Sequence, residues 1–445
     1  MKYKYILLSA LVSFLLTLSC TTNRPVSTNF SYEPSKPVAG GEITVTFDAS
    51  GSHVEKDSTV NLIVFEHSSK EPVAKEVVMT KDGSSYKGKF KSETGTKSLV
   101  VVFRGDKNLE NNEKRGFRIP LHEKNGDEVK GSDAAYVDFL RNYGDLANMS
   151  LKNSELFKLI NNDFVINPGL NVQYYPVYVS LLRRVKADIS DSLIRMDMAE
   201  FSTQKDLDEV HLAALVRGFE ILKETESAQK YRDILASKFP KNEMVVADRV
   251  QKIRKETDLK KQKELTLQFI KDLPDHRSAT TVTDAYLNAF AKEKDWQKVE
   301  KEIVSSGFEP SPLFYNRYAR KYLNDKEPKP DLSLLISKVA LDKVVKELKE
   351  FKKKPISAYE SLYRDDMNST LAMIAYTRGL AFKKLGKSTE ALESFKLAVD
   401  ASKMEDLSVI PDYLAALAGA EKVKRLLISP NNLKVKQNRI LNSTV

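Results

Sequence analysis

Thiols, imidazoles, hydroxyls beside a base and paired carboxylates are the groups that most often make and break bonds. Their spacing in this chain leaves little such chemistry. Cys20 is the single cysteine among 445 residues. A disulfide within the chain, a four-cysteine zinc site and a Cys-x-x-Cys redox pair are therefore excluded. His53, His67, His122, His211 and His276 come no closer than 14 residues to one another, without the short His-x3–5-His spacing of local zinc ligands. No Gly-x-Ser-x-Gly occurs. Ser-x-x-Lys appears at Ser84/Lys87 and Ser227/Lys230, but the first pair falls in an expected hairpin and neither has supporting motifs. With 71 basic residues, such pairs arise by chance. Asp365-Asp366 reads as a solvated helix end. Ala39-Gly40-Gly41 precedes a strand rather than a helix and is not followed by Gly-Lys-Ser/Thr, so a phosphate loop is not indicated. The expectation is a non-catalytic protein with no cofactor and no metal.

Three features could bind rather than react. Leu341, Val344, Val345, Leu348 and Phe351 form an apolar stripe at helical spacing, bordered by Lys338, Lys343, Lys346, Lys349, Lys352, Lys353 and Lys354. Such a helix could meet anionic lipid, but a packed helix with a solvated face explains the pattern more simply. Tyr174-Tyr175-Pro176-Val177-Tyr178 is similar to aromatic surfaces that stack on sugars, with packing as the preferred reading. Trp296, the single tryptophan, suits the start of a packed helix. Lys+Arg minus Asp+Glu is 71 − 61 = +10, with no uninterrupted basic arm, so no nucleic-acid partner is expected.

The N-terminus carries an address. Lys2 and Lys4 precede an apolar stretch from Ile6 to Leu18, too short to span a membrane comfortably and built like a secretory signal. Leu16-Thr17-Leu18-Ser19-Cys20 resembles a bacterial lipobox, with Thr17 at a position where Leu is commonest. The resemblance implies cleavage after a signal at 1–19 and lipid on Cys20. A multiply acylated cysteine suffices for stable anchoring. Thr21 and Thr22 follow, without the aspartate that retains enteric lipoproteins at the inner membrane. The expected location is the cell envelope, at the outer membrane.

The elements change character along the chain. Residues 20–36 are polar and read as a tether. Ile43, Val45 and Phe47 then alternate with polar residues, and Val60–Phe65 is a buried-strand candidate, as is Glu76–Met79. Lys81-Asp82-Gly83 leads by a hairpin into Tyr86–Phe90, followed by Ser98–Phe103 and Gly116–Leu121. Six or seven short strands across 37–130 predict an immunoglobulin-like β-sandwich. Asp133 is placed to cap a helix through Tyr136, Phe139, Leu140 and Tyr143. From 131 to 427 helical periodicity dominates, and 428–445 is a polar tail. Pro240, Pro274 and Pro310 are 34 and 36 residues apart, close to the tetratricopeptide period. Gly379, Phe382, Gly386, Ala391, Phe395 and Ala398 occupy the small and aromatic positions of one such repeat. The earlier repeats are degenerate, with Gly218 and Ala228 in plausible places and Gln262 in a small-residue slot. The fold class is therefore multidomain β + α, a sandwich followed by an all-α tetratricopeptide-like repeat.

Tyr32–Val45, Tyr86–Phe90 and Leu121–Gly126, set behind a lipoprotein signal, resemble the N-terminal immunoglobulin-like region of envelope thioredoxin-family lipoproteins of the TlpA type. The likeness covers about Phe30 to Leu427. It implies a helical repeat and then a closing thioredoxin domain. Near Ile428, where that domain would begin, the chain has Ser429-Pro430 and no Trp-Cys-x-x-Cys follows. The thiolate pair is the whole mechanism of that family, so no catalytic residue carries over. The expected function is binding or scaffolding of an envelope protein through the helical repeat, with membrane attachment through lipid. The alternatives are an accessory or truncated member of a thiol-disulfide system and an outer-membrane glycan-binding lipoprotein.

Overall fold

The computed structural model describes residues 29–68, 72–293, 295–349, 359–403 and 408–419. The signal at 1–19, Cys20, Phe351 to Lys354 and the tail at 428–445 lie outside the described residues. Internal contacts divide the chain into two compact units. Among the described residues these are 29–246 with 359–361, and 247–349 with 362–419.

The first unit begins with strands β1 (Phe30–Glu33), β2 (Glu42–Asp48), β3 (Val60–His67), β4 (Val73–Val78), β5 (Thr80–Asp82), β6 (Ser85–Lys91), β7 (Ser98–Gly105), β8 (Leu109–Glu110) and β9 (Phe117–Ile119). One sheet runs β1-β2-β6-β5; the other runs β4-β3-β7, with β8 and β9 both paired to β7. Inward-pointing residues of the two sheets share one core, including Ile43, Val45, Phe47, Leu62, Val64, Phe90, Val101 and Phe103. β2 shows the alternation expected of a strand with one wet face, because Ile43, Val45 and Phe47 are buried while the residues between them are not. β1 corrects the tether reading over part of 20–36. Phe30 and Tyr32 alternate, Tyr32 pairs with Val45, and the Phe30 ring lies 5.0 Å from Phe117 and 6.1 Å from Phe103.

β3 and β7 do not alternate, because both of their faces are covered. Helix α1 (Ser132–Tyr143) lies on the face turned away from the core. Its Phe139 ring is 5.2 Å from Phe65, and Asp138 Oδ2 is 2.7 Å from His67 Nε2. Further along that face Tyr359 packs on Phe65 and accepts a hydrogen bond from Arg104 at 3.1 Å. Asp133 does not cap α1 as its spacing suggests. Gly131, at φ +83°, turns the chain into the helix, and Asp133 pairs with Arg118 at 2.7 Å instead. The acceptor at this helix end is Asp163, whose carboxylate takes the Ala134 N–H at 3.0 Å from α2 (Asn153–Ile166).

Helices α3 (Tyr175–Val185), α4 (Ala187–Phe201), α5 (Glu209–Ile221), α6 (Thr225–Lys238) and α7 (Glu243–Lys255) follow, and the division between the units falls within α7. The second unit continues with α8 (Leu259–Asp272), α9 (Ser278–Phe290), α10 (Trp296–Ser306), α11 (Pro312–Leu323), α12 (Pro330–Lys349), α13 (Glu360–Lys384), α14 (Ser388–Ala401) and α15 (Ile410–Gly419). One core of this unit joins Tyr286, Trp296, Val299, Phe314, Tyr318, Ile336, Val344 and Ile374.

A helical repeat is visible in the starting positions. First helices α5, α7, α9 and α11 begin at 209, 243, 278 and 312, steps of 34, 35 and 34 residues. Second helices α6, α8, α10 and α12 begin at 225, 259, 296 and 330, steps of 34, 37 and 34. Pro240 and Pro274 each stand just after the residue that closes α6 or α8, where a missing N–H does not interrupt a helix. Among the described residues no helix is long and apolar enough to cross a membrane.

Candidate functional site

The repeat residues read from the sequence meet in the α13–α14 hairpin. Gly379 has no room for a side chain, since a Cβ there would stand 2.5 Å from the Phe395 ring. Gly386 turns the chain at φ +71° between the helices, a conformation that favours glycine. Ala391, Phe395 and Ala398 are buried, and Phe382 is half-buried beneath the Arg378 guanidinium, 5.5 Å away. These side chains form a packing contact between paired helices.

The degenerate units use other means. Gly218 does not face its partner helix α6; it admits Met198 of α4, whose sulfur would lie 2.2 Å from an added Cβ. Gln262 fits a small-residue slot because it is hydrogen-bonded, donating at 2.9 Å to the Ile253 carbonyl near the end of α7.

Other sequence candidates are absorbed into packing. Tyr174 and Tyr175 are 2% and 1% exposed, which removes the sugar-stacking surface suggested by their spacing. Tyr175 donates to Asp197 at 3.1 Å, and burial pushes its phenol far above the ordinary range. Trp296 is buried against Tyr315 and Tyr318. Val344 lies in the core of the second unit, with Leu341 and Leu348 packed against it. Asp365 pairs with Lys403 at 2.9 Å, whereas burial and then the Asp365 charge raise the neighbouring Asp366 carboxyl.

His67, Asp138 and Ser98 bring an imidazole, a carboxylate and a hydroxyl together. His67 and Ser98 are paired across β3 and β7, both 3% exposed. The group lies beneath α1, so its arrangement joins helix to sheet. Among the described residues no His, Cys, Asp and Glu group is arranged to hold a metal ion.

The first unit contains an open cavity of about 380 Å³ at one end of the two sheets. Phe47 and Phe117 form its floor, and Phe47 is fixed by stacking on Phe103 at 3.8 Å. One wall is the β2–β3 connection at His53; the other is the turn Asn112–Arg115. Glu110 joins them. Its Oε2 accepts from the His53 backbone N–H at 3.2 Å and lies 2.9 Å from His53 Nδ1, while Oε1 accepts the Asn112 N–H at 2.8 Å.

The second wall has an unusual backbone. Asn112, Glu113 and Lys114 have φ of +52°, +52° and +70°. Non-glycine residues held there cost of order 1–3 kcal/mol each and need outside support. Asn111 supplies much of it. Its Nδ2 donates to Ala147 O and Asn148 O, each at 3.0 Å, and its Oδ1 accepts the Lys114 N–H at 3.0 Å. Ser150 N–H donates to Lys114 O at 2.8 Å, and Asn112 Nδ2 to Gly116 O at 3.0 Å. Arg115 is steered by Glu155, 3.4 Å away. Sequence reasoning missed this site because its residues come from distant segments; the pair Asn111-Asn112 was the one local sign of a left-handed turn.

No family model matches the chain, and no curated protein matches it. Among solved structures, similarity is found to a tetratricopeptide repeat protein from Parabacteroides merdae ATCC 43184, at 11% identity over 63% of this chain and 96% of that chain, with a TM-score of 0.25.

Proposed function

We propose that this chain is a non-catalytic, lipid-anchored protein of the cell envelope, held at the outer membrane through Cys20, whose helical repeat binds or scaffolds another envelope protein. The observation that carries the reading is the step of 34, 35 and 34 residues between successive first helices. Stacked helix pairs of that length present extended surfaces suited to protein partners. The β-region ahead of them is read as an immunoglobulin-like sandwich. Its order β1-β2-β6-β5 against β3-β7 with β8 and β9 supports this, because it follows the A-B-E-D and C-F-G arrangement of that fold, with β4 as an added strand beside β3.

The test is affinity capture of the tagged full chain from crosslinked envelopes, with proteins identified by mass spectrometry. One envelope protein should be recovered reproducibly, and Cys20→Ala should release the chain into the soluble fraction. Recovery of no specific protein counts against the scaffold reading, and unchanged membrane association of Cys20→Ala against the lipid anchor.

A further inference from the structure

We infer that the cavity of the first unit is a saccharide-binding site, distinct from the helical repeat and independent of its proposed role. Its volume of about 380 Å³ falls in the range of small-ligand sites.

The charge arrangement selects the ligand class. Glu110 is already engaged by His53 and by the Asn112 N–H, and Arg115 is already paired with Glu155. A strongly charged ligand would have to compete with these internal partners. The walls instead offer hydrogen-bonding capacity of both kinds. His53 turns Nδ1 to Glu110, which leaves Nε2 as a further hydrogen-bonding atom on a side chain that is 72% exposed. Asn112 uses its Nδ2 on Gly116 O, which leaves its Oδ1 as an acceptor. The guanidinium of Arg115 has five N–H donors, and its contact with Glu155 occupies one nitrogen. Glu113, exposed at the rim, adds a carboxylate acceptor. A neutral polyhydroxylated molecule satisfies such a mixture, because each hydroxyl donates and accepts, while Phe47 and Phe117, 1% and 4% exposed, close the base of the cavity from within the core.

The walls are set before any ligand arrives. Glu110 bridges segments 57 residues apart, and Asn111 holds the left-handed turn from beneath. Such preorganisation limits the ordering cost of binding. It also accounts for a turn whose backbone strain brings Asn112, Glu113 and Arg115 to one rim.

The experiment is saturation-transfer NMR with calorimetry on the full chain, using glucose, galactose, N-acetylglucosamine, cellobiose and N,N′-diacetylchitobiose as probes, and glycine and alanine as zwitterionic controls. At least one sugar should bind saturably. Arg115→Ala and His53→Ala should each weaken it about ten-fold without moving the melting temperature. His53→Ala keeps the test valid should Arg115→Ala disturb the turn, since the imidazole is mostly exposed. The inference is overturned if no sugar binds, if both substitutions leave sugar affinity unchanged, or if the amino acids bind in place of the sugars.

Discussion

Two glycines of the α13–α14 hairpin show how the same residue type serves different needs. At Gly379 the constraint is space, because an added Cβ would meet the Phe395 ring at 2.5 Å. At Gly386 no atom lies within 4 Å of an added Cβ, and the constraint is the backbone at φ +71°. Gly379→Ala should therefore destabilise by about 1–3 kcal/mol through overpacking, and should be partly rescued by Phe395→Leu. Gly386→Ala should cost about 1 kcal/mol, with no such rescue. Urea denaturation of the single and double variants checks both; an equal rescue at the two positions would contradict the distinction. The repeat spacing alone marked both residues as small, but could not separate steric from conformational demand. At α1 the sequence offered a nearby acceptor in Asp133, yet the N–H of Ala134 is taken by Asp163, 29 residues away. Local spacing cannot reveal a cap supplied by another helix.

Connections between elements are where a charge has the clearest consequence. The turn after β7 holds Asp106, whose Oδ2 accepts from the Ser58 backbone N–H at 2.8 Å, while the Ser58 and Thr59 hydroxyls also donate to its carboxylate. These bonds tie the β2–β3 connection to the β7–β8 turn. The Ser58 hydroxyl, then that of Thr59, holds the acid down to about 2, below its ordinary 3.8. A depressed folded-state value stabilises the fold above the unfolded value, and that contribution is lost as pH falls from about 4 through about 2. Asp106→Asn should be less stable than the parent at neutral pH, with the gap closing across that acidic window. Urea midpoints measured against pH give the test, and a gap that widens on acidification would contradict it. The strands joined here were largely legible, because β2 alternates and β3 and β7 are apolar runs. β1 was hidden by brevity, with two aromatics in a polar stretch. The continuous burial of β3 and β7 could be read from composition, but its cause, α1 and Tyr359 on their second face, required the fold.

At the scale of the whole chain, sequence periodicity and compactness do not mark the same boundary. The pattern changes from strands to helices near Lys130, whereas the compact units divide within α7. The reason lies inside the first unit. β3 and β7 expose apolar faces that a solitary pair of sheets would leave wet, and α1 covers part of them with Phe139, which is fully buried. A β-region cut at Lys130 would expose Phe65 and His67 beneath that helix. The helices that follow share further cores, α3 to α5 around Tyr175 and Met198, and α5 to α7 around Leu212 and Val245. Phe139→Ala should therefore cost about 3–5 kcal/mol. Because each unit has its own core, the loss should fall on one cooperative block of the chain. Hydrogen exchange read by mass spectrometry in the full chain is the measurement. Protection should drop in β3, β7 and α1 and persist in α9 to α11, whereas Gly379→Ala should leave β3 and β7 protected. Uniform loss of protection in both variants would show that the chain unfolds as a single block, and that its two compact units are not separate units of stability.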